Sequence, residues 1–194
     1  MAEIHEVAEV AEKVSGEDRK IALVIAILAL FLSFSEVLGK GAQTEAISAD
    51  VESANYWSFF QAKTIRMTTV HTAAEALKLT AAATTDQTAK AAMQKQIDAW
   101  EKAAARYDSE PETGEGRKEL AERAKHEEEE RTVSLAKYHH YEIASAAFQI
   151  GIVLCSAAVI TGIMALMWFA GLLGVVGIAV TGLGLYAPLV IPLP

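Results

Sequence analysis

Residues 143–194 read IASAAFQIGIVLCSAAVITGIMALMWFAGLLGVVGIAVTGLGLYAPLVIPLP, and no Asp, Glu, Lys, Arg or His occurs among them. A run this apolar cannot sit on a soluble surface. It is also too long for one bilayer crossing, which takes about 20 apolar helical residues. Two crossings joined by a tight turn fit the length. The spacing predicts spans at 141–168 and 170–189, with Trp168-Phe169 as an interfacial aromatic pair between them and Pro188, Pro192 and Pro194 ending the second. A shorter apolar run at 21–38 supplies a first span. Its acid-rich leader and the lack of a clean small-x-small site argue against a cleaved signal.

The expected fold is therefore an all-α integral membrane protein. Three transmembrane helices carry an extramembrane helical hairpin, coiled-coil-like, between spans one and two, and residues 1–20 form a polar N-terminal segment. Ile4, Val7, Ala11 and Val14 recur there at helical spacing, and Gly16 is expected to interrupt that helix.

The extramembrane part spans residues 39–140. From 40 to 142 it holds 14 basic and 18 acidic side chains, a mixed surface with no basic face for nucleic acid. Residues 43–107 lack Gly and Pro and are rich in Ala, Gln, Lys and Glu, a strong helix composition. One upright helix of that length would rise about 97 Å, whereas 117–140 brings the chain back only about 36 Å. A reversal is thus required. Thr84-Thr85-Asp86 is the expected site, since these residues cap helices better than they fill them. Asp108–Gly116, with Pro111, Gly114 and Gly116, is a second turn. Beyond it the helical pattern runs unbroken from Arg117 into span two, as one rod to Trp168. A rival reading lays residues 50–62 along the bilayer surface through Tyr56, Trp57, Phe59 and Phe60.

Arg19-Lys20 abut the start of span one, and Lys40 alone follows closely. The positive-inside rule then places residues 41–140 outside the cytoplasm. Arg123, Lys125, Arg131 and Lys137 pull the other way. Cys155 is the single cysteine, so no disulfide forms within the chain.

At residues 53–66 the chain reads SANYWSFFQAKTIR, and at 149–154 QIGIVL. These stretches resemble a bacterial membrane-protein family known as domain of unknown function 4337, with its W-x-x-x-Q-A-K-x-x-R motif and a Gln-Ile-Gly/Ala-Ile-Val-Leu run. Trp57, Gln61, Ala62, Lys63 and Arg66 match the first motif. The resemblance implies an N-terminal span, a helical region and a C-terminal pair of spans over nearly the whole chain; with the flanking charge, the expected location is a bacterial inner membrane with residues 41–140 periplasmic. It implies no activity. Family members often have basic residues between the last two spans, and residues 168–171 have none.

Glu36 is a carboxylate inside a span, a functional-site signal by default. Topology sets it level with Lys40, His139, His140 and Glu142, either as an ion site at the membrane mouth or as a polar collar anchoring helix ends. Gln149, two turns deeper, is expected to hydrogen-bond between helices. Gly151, Cys155, Ala158 and Gly162 in span two, and Gly174, Gly177, Thr181 and Gly184 in span three, form small-residue stripes that let backbones approach. Ile65, Thr69, Thr72, Ala76, Leu79 and Ala83 form a near-heptad seam on the extramembrane helix. The run from His126 to Glu130 lacks the second His of a zinc helix. With no nucleophile elbow, phosphate loop, cofactor motif or metal-ligand set, the expected protein is not an enzyme and holds no cofactor. Its partners are membrane lipid and either further copies of itself or a larger membrane complex. The alternative is a small oligomeric channel or transporter with Glu36, His139 and His140 at its mouth.

Overall fold

The computed structural model describes the backbone of residues 2–190 and the side chains of residues 19–190. Four helices follow one another: α1 (Ala2–Ala83), α2 (Gln87–Asp108), α3 (Arg117–Thr161) and α4 (Met164–Tyr186). Three of them, α1, α3 and α4, are long and apolar enough to cross a membrane.

The chain divides into two units, residues 1–46 with 132–194, and residues 47–131. In the first, α1, α3 and α4 pack around Ile21, Leu28, Ala144, Phe148, Cys155, Ala158 and Ala170. Phe31 stacks on Phe148 with ring centroids 6.0 Å apart. Glycines make this packing close. An added Cβ at Gly177 would meet the Phe148 ring at 2.6 Å, and one at Gly174 would meet Leu28 at 2.7 Å. The outward faces carry Leu30, Phe34, Val37, Val153, Ile160 and Val175, all exposed, an apolar exterior that fits helices suited to crossing a membrane.

In the second unit, α2 and then the first turns of α3 run antiparallel along α1. Lys78 pairs with Glu101, Trp57 with Glu128, and Asp50 with Arg131. Its buried apolar residues are small or few: Ala49, Ala74, Ala81, Ile97, Ala104, Leu120 and Ala124. Ile65, Thr69, Thr72, Ala76, Leu79 and Ala83 on α1 are exposed. The chain leaves helix at Thr84–Asp86, and Asp86 caps α2 by accepting from the Thr88 and Ala89 N–H groups at 2.8 and 3.3 Å.

Four expectations are corrected. The rod from Arg117 does not reach Trp168: α3 ends at Thr161 and α4 begins at Met164. The break lies at Gly162, which adopts φ 69° and donates its N–H to the Ala158 carbonyl at 2.9 Å. A residue without Cβ takes this left-handed conformation at no steric cost and closes the helix. Trp168 and Phe169 therefore lie within α4, exposed, rather than in the turn. Secondly, Gly162 is not a packing residue, because no heavy atom would meet its Cβ within 4 Å. Thirdly, α1 continues through Gly16, since one helical glycine costs only about 1 kcal/mol. Finally, residues 50–62 belong to the same unbroken α1, with Tyr56, Trp57 and Phe60 half-buried within their unit. The face of Ile4, Val7, Ala11 and Val14 lies outside the described side chains, and Pro192 and Pro194 lie outside the described residues.

Candidate functional site

The polar collar forms where α1 leaves its apolar stretch. Ser35 is fully buried and its Oγ donates to the Tyr141 carbonyl at 3.0 Å. Gly39 faces the same tyrosine, so closely that an added Cβ would lie 3.4 Å from Tyr141 Cβ. These contacts bring Glu36, Lys40 and Glu142 onto one open groove of about 280 Å³ that Tyr138 and Tyr141 also line. His139 stands beside it, with Nδ1 3.8 Å from Glu142.

His140 does not join them. It is buried, its Nδ1 lies 2.7 Å from the Ala136 carbonyl, and its Cβ faces Gly184 on α4. A carbonyl only accepts, so Nδ1 carries the proton. Successive helix positions point about 100° apart, which is why adjacent histidines part company here. Gln149 also departs from expectation. It is exposed and makes no hydrogen bond to another helix among the described residues. Three positions on from Ala146, it falls on the outward face.

The packing residues behave as one set apart from Gly162. Gly151, Ala158, Gly174, Gly177 and Gly184 are all buried within the three-helix unit. Leu28 inserts between Gly151 and Gly174, and Tyr141 abuts Gly184. The large partners Leu28, Phe148 and Tyr141 carry no signal in sequence beyond being apolar.

The family-like motif lies in the second unit. Trp57 Nε1 donates to Glu128 at 2.8 Å, and its ring meets Phe60 edge-on. Lys63 pairs with Glu115 at 3.5 Å and lies over the Tyr107 ring. Arg66 reaches a cleft beside Tyr56, Phe59 and Arg123, while Gln61 is exposed. Arg117 lies over Phe60, and Arg123 over Tyr56. Sequence reasoning missed both arginines, which come from another helix. The run from His126 is mostly exposed, with His126 3.5 Å from Glu130 and Glu128 engaged by Trp57.

The loop after α2 is fastened by charge. Lys118 beside Asp108 holds that carboxyl below the usual aspartate value. The Ser109 hydroxyl, donating to Glu119 at 2.5 Å, does the same for Glu119, helped by the Glu110 N–H. Arg106 lowers Glu110. Gly116 is required, because an added Cβ would strike Glu119, Glu110 N and Ser109 Cα.

These features define a class: an all-helical protein with three helices suited to crossing a membrane. The family model described as domain of unknown function (DUF4337) matches residues 17–187, and the chain belongs to that family. No curated protein and no solved structure matches it.

Proposed function

We propose that this chain is a membrane-anchored interaction protein that self-associates through the extramembrane part of α1. The supporting observation is the face of Ile65, Thr69, Thr72, Ala76, Leu79 and Ala83. Ile65 is 67% and Leu79 76% exposed, with no helix covering them among the described residues. Apolar and small residues repeating at helical spacing on an open face suit a second helix. A second copy supplies one by symmetry, as in most natural oligomers. Gly151, Gly174, Gly177 and Gly184, by contrast, are occupied within the chain, which supports the α1 face as the association surface.

The membrane in this reading is a bacterial inner membrane, with residues 41–140 periplasmic on the strength of Arg19-Lys20. The channel alternative asks Glu36, His139 and His140 to share one mouth. The enclosure of His140 within its own unit favours the interaction reading instead. Native mass spectrometry in mild detergent tests it. An oligomer is expected that Ile65→Asp weakens, while Phe34→Ala, on the outward span face, leaves it intact. A monomer at micromolar concentration overturns the proposal, and a complex dominated by another protein replaces self-association with docking.

A further inference from the structure

Within the second unit a cleft of about 350 Å³ is lined by Tyr56, Phe59, Lys63, Arg66, Leu120 and Arg123, with Glu115 at its edge. The chain has a formal charge of −8, yet three cations converge here against one carboxylate. That carboxylate is engaged: Glu115 lies 3.5 Å from Lys63, whose side chain is only 15% exposed. Arg66 and Arg123 have no carboxylate within ion-pair distance among the described residues.

Arg123 is exposed, but it is held by two contacts. Its guanidinium lies over the Tyr56 ring, 6.0 Å from the centroid. It also lies close to Gly114, where an added Cβ would collide with Nη2. Gly114 has φ 68°, so the loop conformation and the approach of the arginine both depend on the missing side chain. Arg66 comes from α1, three residues after Lys63. Two guanidinium groups thus face one cleft, one of them pre-positioned, beside two aromatic rings and Leu120.

We infer that this cleft binds a small organic anion, its carboxylate or phosphate taken by Arg66 and Arg123 and its apolar body lying on Phe59, Tyr56 and Leu120. Planar guanidinium forks match both kinds of anion and stack on flat groups. The volume falls within the range of small-molecule sites. Three cations are too few and too local for a nucleic-acid strand, which needs a basic track. The inference stands apart from self-association, because the cleft lies between α1 and α3 rather than on the open α1 face. It also gives the Arg66 motif position a task that packing alone does not.

Calorimetric titration of the full chain in mild detergent tests it, with phenyl phosphate and benzoate as probes and phenol and inorganic phosphate as controls. At least one of the two aromatic anions should bind saturably, and more tightly than either control. Which one wins distinguishes phosphate from carboxylate. Arg66→Gln and Arg123→Gln should each weaken that binding about tenfold or more, the loss of a charge-assisted contact. Arg66 is exposed, so Arg66→Gln serves as the decisive variant if Arg123→Gln alters the melting curve. Binding of neither anion, equal binding of phenol or inorganic phosphate, or undiminished affinity in Arg66→Gln overturns the inference.

Discussion

Gly177 and Gly182 lie five residues apart on α4 and differ in one respect. A Cβ at Gly177 would meet the buried Phe148 ring, whereas one at Gly182 meets nothing within 4 Å. Overpacking a tight site costs about 1–3 kcal/mol, and Phe148 has no flexible end to swing aside. Gly177→Ala should lower the melting temperature in detergent, and Gly182→Ala should leave it unchanged or raise it. Pairing Gly177→Ala with Phe148→Leu should restore part of the loss; additive losses would show that the contact is not the cause. At the same scale, the carboxylates Asp108, Glu110 and Glu119 all titrate below their ordinary values, because ammonium, guanidinium or hydroxyl donors favour the charged form. Their contribution to stability is complete above those ordinary values, 3.8 for the aspartate and 4.5 for the glutamates. It is lost as the pH falls through the lower native values. Hydrogen-exchange protection across 109–116, taken relative to the intrinsic rate at each pH, should therefore be flat above about pH 5 and fall only in stronger acid. Glu119→Gln should loosen the loop at neutral pH. Loosening between pH 7 and 5 would point to another group.

The helix breaks differ in how they announce themselves. Asp86 follows two threonines at the end of a Gly- and Pro-free run, and its side chain caps α2 directly, so local chemistry reveals the reversal. Gly162 is one glycine among many in a charge-free stretch, and nothing local separates it from Gly151 or Gly174. Its left-handed φ is set by where α4 must turn back to place Gly174 against Leu28 and Gly177 against Phe148. That requirement is tertiary. Because no neighbour would contact a Cβ at 162, substitution there tests backbone conformation alone. Gly162→Val should destabilise by about 1–3 kcal/mol and Gly162→Asn by clearly less, since asparagine tolerates the left-handed region. Equal effects in thermal melts would remove the conformational explanation.

At the scale of the whole molecule, side of insertion follows from flanking charge rather than from contacts. Arg19-Lys20 precede the first apolar stretch and favour residues 41–140 outside the cytoplasm, against Arg123, Lys125, Arg131 and Lys137 before the second. Single cysteines at Glu3 and Gln94 in a Cys155→Ser background should differ toward an impermeant thiol reagent on intact cells, with Gln94 labelled and Glu3 protected. The reverse pattern would invert the arrangement.

The sequence by itself determined the number of long apolar helices, the reversal at Thr84–Asp86, the loop after Asp108 and the family. Each follows from an intrinsic property: absence of charge over a bilayer length, capping chemistry, or a matching run of residues. Only the tertiary structure decided which small residues pack, that His140 turns from the collar while Glu36, Lys40 and Glu142 share a groove, and that Arg123 joins Arg66. Those outcomes depend on the partner each side chain meets from a distant part of the chain. Helical periodicity sets the angular spacing of faces but not which neighbour each one meets.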